Sequence, residues 1–198
     1  MTGPRYTIRE YALQPGALEI AYIEEFFNEF PKRKTAAEIV KRLDGRECQI
    51  LMAEAPLPDD PTTIIPVSYK VSHELREDET DEQLADLVAR VRDVVGFKDR
   101  KILYNWLGAT RRDWRGQGHF RALTEEQEAW AVSQGYDEVV VKTKNRYYDM
   151  RGALDTLQFD VIKFEPAPDN LESKLYLSKR LGPLVLDTHR SRRQVVRA

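Results

Sequence analysis

The stretch Trp114-Arg115-Gly116-Gln117-Gly118-His119-Phe120 decides how this chain is read. It sits between a predicted strand, Lys101 to Thr110, and a predicted helix, about Gly118 to Gln134. A helix start carries main-chain N–H groups with no partner in the helix, and the positive end of its dipole. Such a start binds phosphate without side-chain help. Gly116 and Gly118 have no Cβ, so the backbone can approach a bulky anion closely. Arg115 adds a fixed positive charge beside it. Two other phosphate loops are excluded by residue type. A dinucleotide fingerprint needs a third glycine where Arg121 stands, and the G-x-x-x-x-G-K-S/T loop of nucleotide triphosphatases is absent.

Outward from this loop, strands and helices alternate. Tyr6 to Glu10 reads as a first strand and Ala17 to Phe30 as a helix stopped by Pro31. Thr35 and Glu38 form a capping-box pattern ahead of a second helix. Cys48 to Glu54 and Thr62 to Ser72 read as a hairpin, in which Pro66 demands an edge position or a bulge. Thr80 to Val95 is a helix with Leu84, Leu87, Val88, Val91 and Val95 in one apolar stripe, with Thr80 and Gln83 as its capping box. Glu138 to Thr143 is a buried strand and Tyr147 to Leu157 a helix; Phe159 to Glu165 and Lys174 to Leu181 are the last strands. The expected architecture is α/β: one mixed sheet with helices on both faces.

The 198 residues fit one domain over 1–182, with a basic and flexible tail over 183–198. A formal charge of −2 disfavours nucleic acid as a partner. No apolar run reaches the roughly 18 residues of a membrane span, and the first residues lack a secretory signal. Cys48 is the single cysteine, so no internal disulfide forms and a cytoplasmic setting is expected.

The segment Arg115-Gly116-Gln117-Gly118 resembles the pyrophosphate-binding motif of the GNAT acetyltransferases: Arg or Gln, two residues, Gly, one residue, then Gly or Ala. Ala129-Trp130-Ala131, Gln134-Gly135-Tyr136, Thr143-Lys144-Asn145, Met150 and Leu157-Gln158-Phe159 are each similar to landmarks of that superfamily. The likeness is good over residues 100–165 and extends over 48–181. It implies a three-layer GNAT-like acyl-CoA N-acyltransferase fold. It also implies an N-acetyltransferase that takes acetyl-CoA as cosubstrate, no metal, and an amine of a small molecule or peptide as acceptor. Three positions depart from the pattern: Phe120 replaces the small last residue of the motif, Gln158 the glycine before Phe159, and Leu154 a tyrosine that protonates the departing thiolate.

The resemblance assigns residues. Main chain at Gly108, Ala109 and Thr110 pairs with the pantetheine arm. Arg115, Gly116, Gln117, Gly118, His119, Phe120 and Arg121 hold the pyrophosphate. His119 either touches phosphate or lies on the surface of the first helical turn. Asn145 touches the pantetheine or the acetyl end, or caps a helix. A base must remove a proton from the amine and an acid must serve the thiolate. Tyr148, with Tyr147 as its alternative, is the candidate acid, and Tyr104 faces the acceptor or belongs to the core. His73, Glu24 and Glu25 are weaker candidates for the base. The stripe at 84–95 packs on its own domain, or makes a dimer contact or a lid. The rival reading is a GNAT-like domain that binds or senses an acyl-CoA without turnover.

Overall fold

The structure is a computed structural model that describes residues 6–14, 16, 18–26 and 34–195. Its elements are β1 (Thr7–Tyr11), α1 (Leu18–Phe26), α2 (Ala36–Leu43), β2 (Cys48–Pro56), β3 (Ile64–Leu75), α3 (Glu82–Val91), β4 (Ile102–Thr110), α4 (His119–Ser133), β5 (Glu138–Lys144), α5 (Tyr148–Thr156), β6 (Asp160–Glu165), β7 (Lys174–Arg180) and α6 (Pro183–Val195). The strands form a mixed seven-stranded sheet in the order β1-β2-β3-β4-β5-β7-β6. The chain divides into two compact units: Met1–His73 with Leu107–Thr124, and Glu74–Trp106 with Glu125–Ala198.

In the first unit β1 pairs antiparallel with β2, and β2 with β3. Pro66 gets the bulge it requires: the register shifts so that Glu54 faces Pro66 while Ala53 faces Ser68. Leu51, Ala53, Ala55, Val67 and Leu123 form the core, flanked by Tyr6, Ile8, Ile65 and Trp114. The capping box of α2 is present, with the Thr35 side chain accepting from the Glu38 N–H and Glu38 accepting from the Thr35 N–H. Glu24 accepts from the Ala36 N–H at 2.8 Å, so this carboxylate also serves the start of α2. The expected continuation of α1 through Phe27 and Phe30 to Pro31 lies outside the described residues.

In the second unit β4 pairs parallel with β5, and β7 pairs antiparallel with both β5 and β6. The apolar stripe is covered by its own unit: Leu84, Leu87, Val88 and Val91 of α3, and Val95 beyond its end, pack with Leu75, Phe97, Ile102, Tyr104, Val140 and Tyr176. Full burial of each such aliphatic side chain contributes about 1.5–3 kcal/mol. The cap of this helix is Asp81, one residue beyond the expected Thr80. Its carboxylate accepts from the Gln83 and Leu84 N–H groups at 3.0 and 3.1 Å. Asp81→Ala is expected to lower stability by about 1 kcal/mol in a thermal melt.

The segment from 183 differs from the expected tail. Residues Pro183–Val195 form α6, and His189 on it is buried. No helix among the described residues is long and apolar enough to cross a membrane.

Candidate functional site

The site begins at the end of β4. The ladder with β5 pairs Ile102–Asn105 with Glu138–Val141, whereas β4 runs on to Thr110. Ser68 on β3 donates its hydroxyl to the Ala109 carbonyl at 3.0 Å and meets the Thr110 hydroxyl at 2.8 Å. The Arg111 N–H donates to the Val67 carbonyl at 2.9 Å. Gly108 lies close against β3: a Cβ placed there would come within 3.3 Å of the Tyr69 carbonyl oxygen. These contacts fix the last residues of β4 on one edge through β3.

A 3₁₀ turn, Arg112–Trp114, then leads into the glycine loop. Gly116 and Gly118 hold φ of +75° and +80°, conformations that favour glycine, and a Cβ on either would meet nothing within 4 Å. The loop therefore presents open main chain. The first hydrogen bond of the helix runs from the Ala122 N–H to the Gly118 carbonyl at 3.0 Å. The N–H groups of Gly118 to Arg121 precede it and have no acceptor within α4. In sequence, Arg111, Arg112, Arg115 and Arg121 flank this start, with Asp113 as the one acid among them. The Arg115 Nε donates to the Thr110 carbonyl at 3.2 Å and ties the loop to β4. The arrangement is a helix start of 15 helical residues, cationic, with exposed glycines. It fits a diphosphate.

His119 is not the surface residue it was expected to be as one alternative. It is 2 % exposed, with its ring 4.1 Å from that of Tyr6 and 6.1 Å from that of Trp114. Burial pushes its imidazole below the ordinary value, toward the neutral form. His119 thus brings a main-chain N–H and an aromatic anchor to the loop rather than a charge. The Phe120 ring lies 4.4 Å from the Lys70 Nζ, and that ammonium donates to the Thr124 hydroxyl at 2.7 Å. Thr124 in turn donates to the Phe120 carbonyl at 2.7 Å. Lys70 is buried in β3 and escaped the sequence reading. The only signal was alternation: Ser68, Lys70 and Ser72 share a face that a half-exposed strand would turn to water.

Tyr104, Asn145 and Tyr148 belong to the second unit. Tyr104 is 8 % exposed and packs in the apolar cluster with α3. Asn145 follows β5, and its amide is engaged on both sides: Nδ2 donates to the Asn170 carbonyl at 3.1 Å, and Oδ1 accepts from Arg151 at 2.5 Å. Tyr148 opens α5 and is exposed, with the Arg151 guanidinium 5.6 Å from its ring centre. Leu154 is fully buried. His73, a weaker candidate for the base and one residue past the expected strand, lies buried within β3, which continues to Leu75.

The first unit also has a cleft of about 230 Å³ lined by Arg9, Tyr11, Glu19, Tyr22, Met52, Glu54, Ile64 and Pro66. Its central carboxylate is already served: Tyr11 donates to Glu54, and Arg9 pairs with it at 3.1 Å. Burial first, then that bond, push the Tyr11 phenol up to about 12.

No family model and no curated protein matches the sequence. Solved structures do match the fold. The chain is similar to Arabidopsis thaliana NAA60 in complex with a bisubstrate analogue at a TM-score of 0.65 and 11 % identity, covering 89 % of this chain and 99 % of that one. It is similar to a chain of the NatC complex bound to Gag peptide and CoA at 0.63 and 16 % identity, covering 88 % and 99 %. It is similar to the GNAT superfamily phosphinothricin acetyltransferase of Sinorhizobium meliloti, in complex with AcCoA, at 0.61 and 12 % identity, covering 90 % and 89 %. The fold is that of the GNAT superfamily acetyltransferases.

Proposed function

We propose that this chain is an acetyl-CoA-dependent N-acetyltransferase that acts on an amine of a small molecule or peptide in the cytoplasm. The observation that carries the reading is the open, cationic start of α4, with Gly116 and Gly118 free of any obstructing side chain. The structural neighbours determined with acetyl-CoA or CoA support the choice of ligand. Main-chain N–H groups of Gly118 to Arg121 would hold the diphosphate, Arg115 would add charge, and the backbone of Gly108 to Thr110 would take the arm as an added strand. When bound, acetyl-CoA supplies the activated acetyl group. Tyr148, at the exposed start of α5, would give a proton to the thiolate, with the exposed Tyr147 as its alternative. A domain that only binds or senses acyl-CoA is the second reading. It is favoured by the engaged amide of Asn145 and the buried Leu154.

Thiol release separates the two. With acetyl-CoA and a panel of small amines and peptides, free CoA thiol should accumulate, and Tyr148→Phe should slow it at least about tenfold with CoA affinity retained. Tight CoA binding without thiol release from any amine would select the binding domain. Absence of CoA binding would remove both.

A further inference from the structure

Side chains alternate along a strand. Leu51, Ala53 and Ala55 of β2 pack with Leu123 of α4 and with Trp114, so Met52 and Glu54 project from the opposite face, into the cleft of about 230 Å³. There β1 supplies Arg9 and Tyr11, and α1 supplies Glu19 and Tyr22 about one turn apart. All these residues belong to the first unit. The charges of the cleft do not balance. Arg9 pairs with Glu54 at 3.1 Å, and Tyr11 donates to the same carboxylate. No ion pair or hydrogen bond holds the half-buried Glu19 among the described residues. Burial and Glu54 raise the Tyr11 phenol, and the Glu19 charge adds to that rise, so Glu19 acts on the interior of the cleft. Glu19 and Glu54 against Arg9 leave the lining with one negative charge in excess.

That excess selects a ligand. A carboxylate or phosphate would meet Glu19, and the one guanidinium present is already engaged by Glu54. An ammonium supplies the missing partner, through a charge-assisted hydrogen bond. The faces of tyrosine rings attract the same charge, and Tyr11 and Tyr22 bring two. Met52, Ile64 and Pro66 give apolar surface for a carbon body. Tyr22 and Ile64 are 39 % and 55 % exposed, so the cleft opens to solvent and a solute can enter. Its volume is below the roughly 300–1,000 Å³ of pockets for drug-sized ligands, which limits the occupant to a small molecule. We propose that this cleft binds a small organic amine in its protonated form, with the ammonium at Glu19 and the carbon body on Met52, Ile64 and Pro66. The site lies apart from the glycine loop and does not rest on the assignment of that loop to coenzyme A.

Calorimetry at neutral pH with three probes of one shape tests it: 2-phenylethylamine is a cation, 2-phenylethanol is neutral and 3-phenylpropanoate is an anion. The amine should bind saturably with a Kd of about 1 mM or tighter, and the alcohol and the acid at least about tenfold more weakly. Glu19→Gln should weaken the amine about fivefold or more. Tyr22→Ala should weaken it as well, through the lost ring. Glu25→Gln removes a like charge from an exposed position of α1 outside the cleft, and should leave the affinity unchanged within about twofold. Melting temperatures of the three variants near that of the parent show that each is folded. No saturable binding of the amine overturns the site. Equal binding of the alcohol, an unchanged affinity in Glu19→Gln, or an equal loss in Glu25→Gln overturns the selection of an ammonium by Glu19. Failure of the parent to bind coenzyme A would strike the loop assignment and leave this result standing.

Discussion

Gly118→Val is expected to weaken coenzyme A binding by at least about a hundredfold, close to 2.7 kcal/mol, while the protein stays folded. Two effects combine. Gly118 has φ of +80°, and an L-residue in that region is strained by roughly 1–2 kcal/mol, more when the side chain is branched at Cβ. Relief of that strain moves the N–H groups at the start of α4, each of which contributes on the order of 1.5–3 kcal/mol when bound to a charged oxygen. The second effect is steric. A Cβ at this position meets no protein atom within 4 Å, so the valine projects into open space, where a diphosphate gripped by the loop must approach. Gly45 supplies the control. It has φ of +66°, and a Cβ there also meets nothing within 4 Å, but it follows α2 and is no part of the loop. Gly45→Val should lower the melting temperature by a similar few degrees, roughly 2–8 °C, and leave the affinity alone. Equal affinities for Gly118→Val and its parent would take the ligand away from this helix start.

What the sequence exposed, and what it concealed, divides along the range of the interactions. The glycine loop was legible because everything it needs lies within seven residues: a strand end, two residues without Cβ, and a helix start. The Thr35–Glu38 capping box and the bulge beside Pro66 were legible for the same reason. Gln158 shows that a departure can also be informative. It holds φ of +66° at the position where the resemblance expects glycine, so the left-handed turn survives the loss of its usual residue. The concealed features depend on partners far along the chain. His119 is buried because Tyr6 lies against it, and no spacing around His119 announces that. Lys70 looks like the solvent side of an alternating strand until Thr124 and Phe120 cover it. Asn105 stands in an ordinary strand sequence, and its unmet amide is visible only once its surroundings are fixed. The segment from 183 read as a tail because residues 188–198 carry several arginines and no acid. Among its described side chains, the polar His189 is the one it buries.

That burial leads to the largest expected stability effect. Glu128 on α4 accepts through Oε2 from the Lys179 ammonium on β7 at 2.7 Å and contacts the His189 Nε2 on α6 at 2.8 Å. The three side chains are 1 %, 8 % and 5 % exposed. A charge pair this dry gains from mutual attraction about what its removal from water costs, so its presence alone adds little. Removing one member is another matter, since the remaining charge is stranded. Glu128→Gln should therefore lower the free energy of unfolding by about 3–5 kcal/mol, measured by urea titration. His189→Ala, which leaves the Glu128–Lys179 pair intact, should cost only about 1 kcal/mol. The double change Glu128→Leu with Lys179→Met should recover most of the loss, because no unpaired charge then remains. If Glu128→Gln unfolds within about 1 kcal/mol of its parent, water reaches the Lys179 ammonium, and α6 does not seal this cluster as the structure shows.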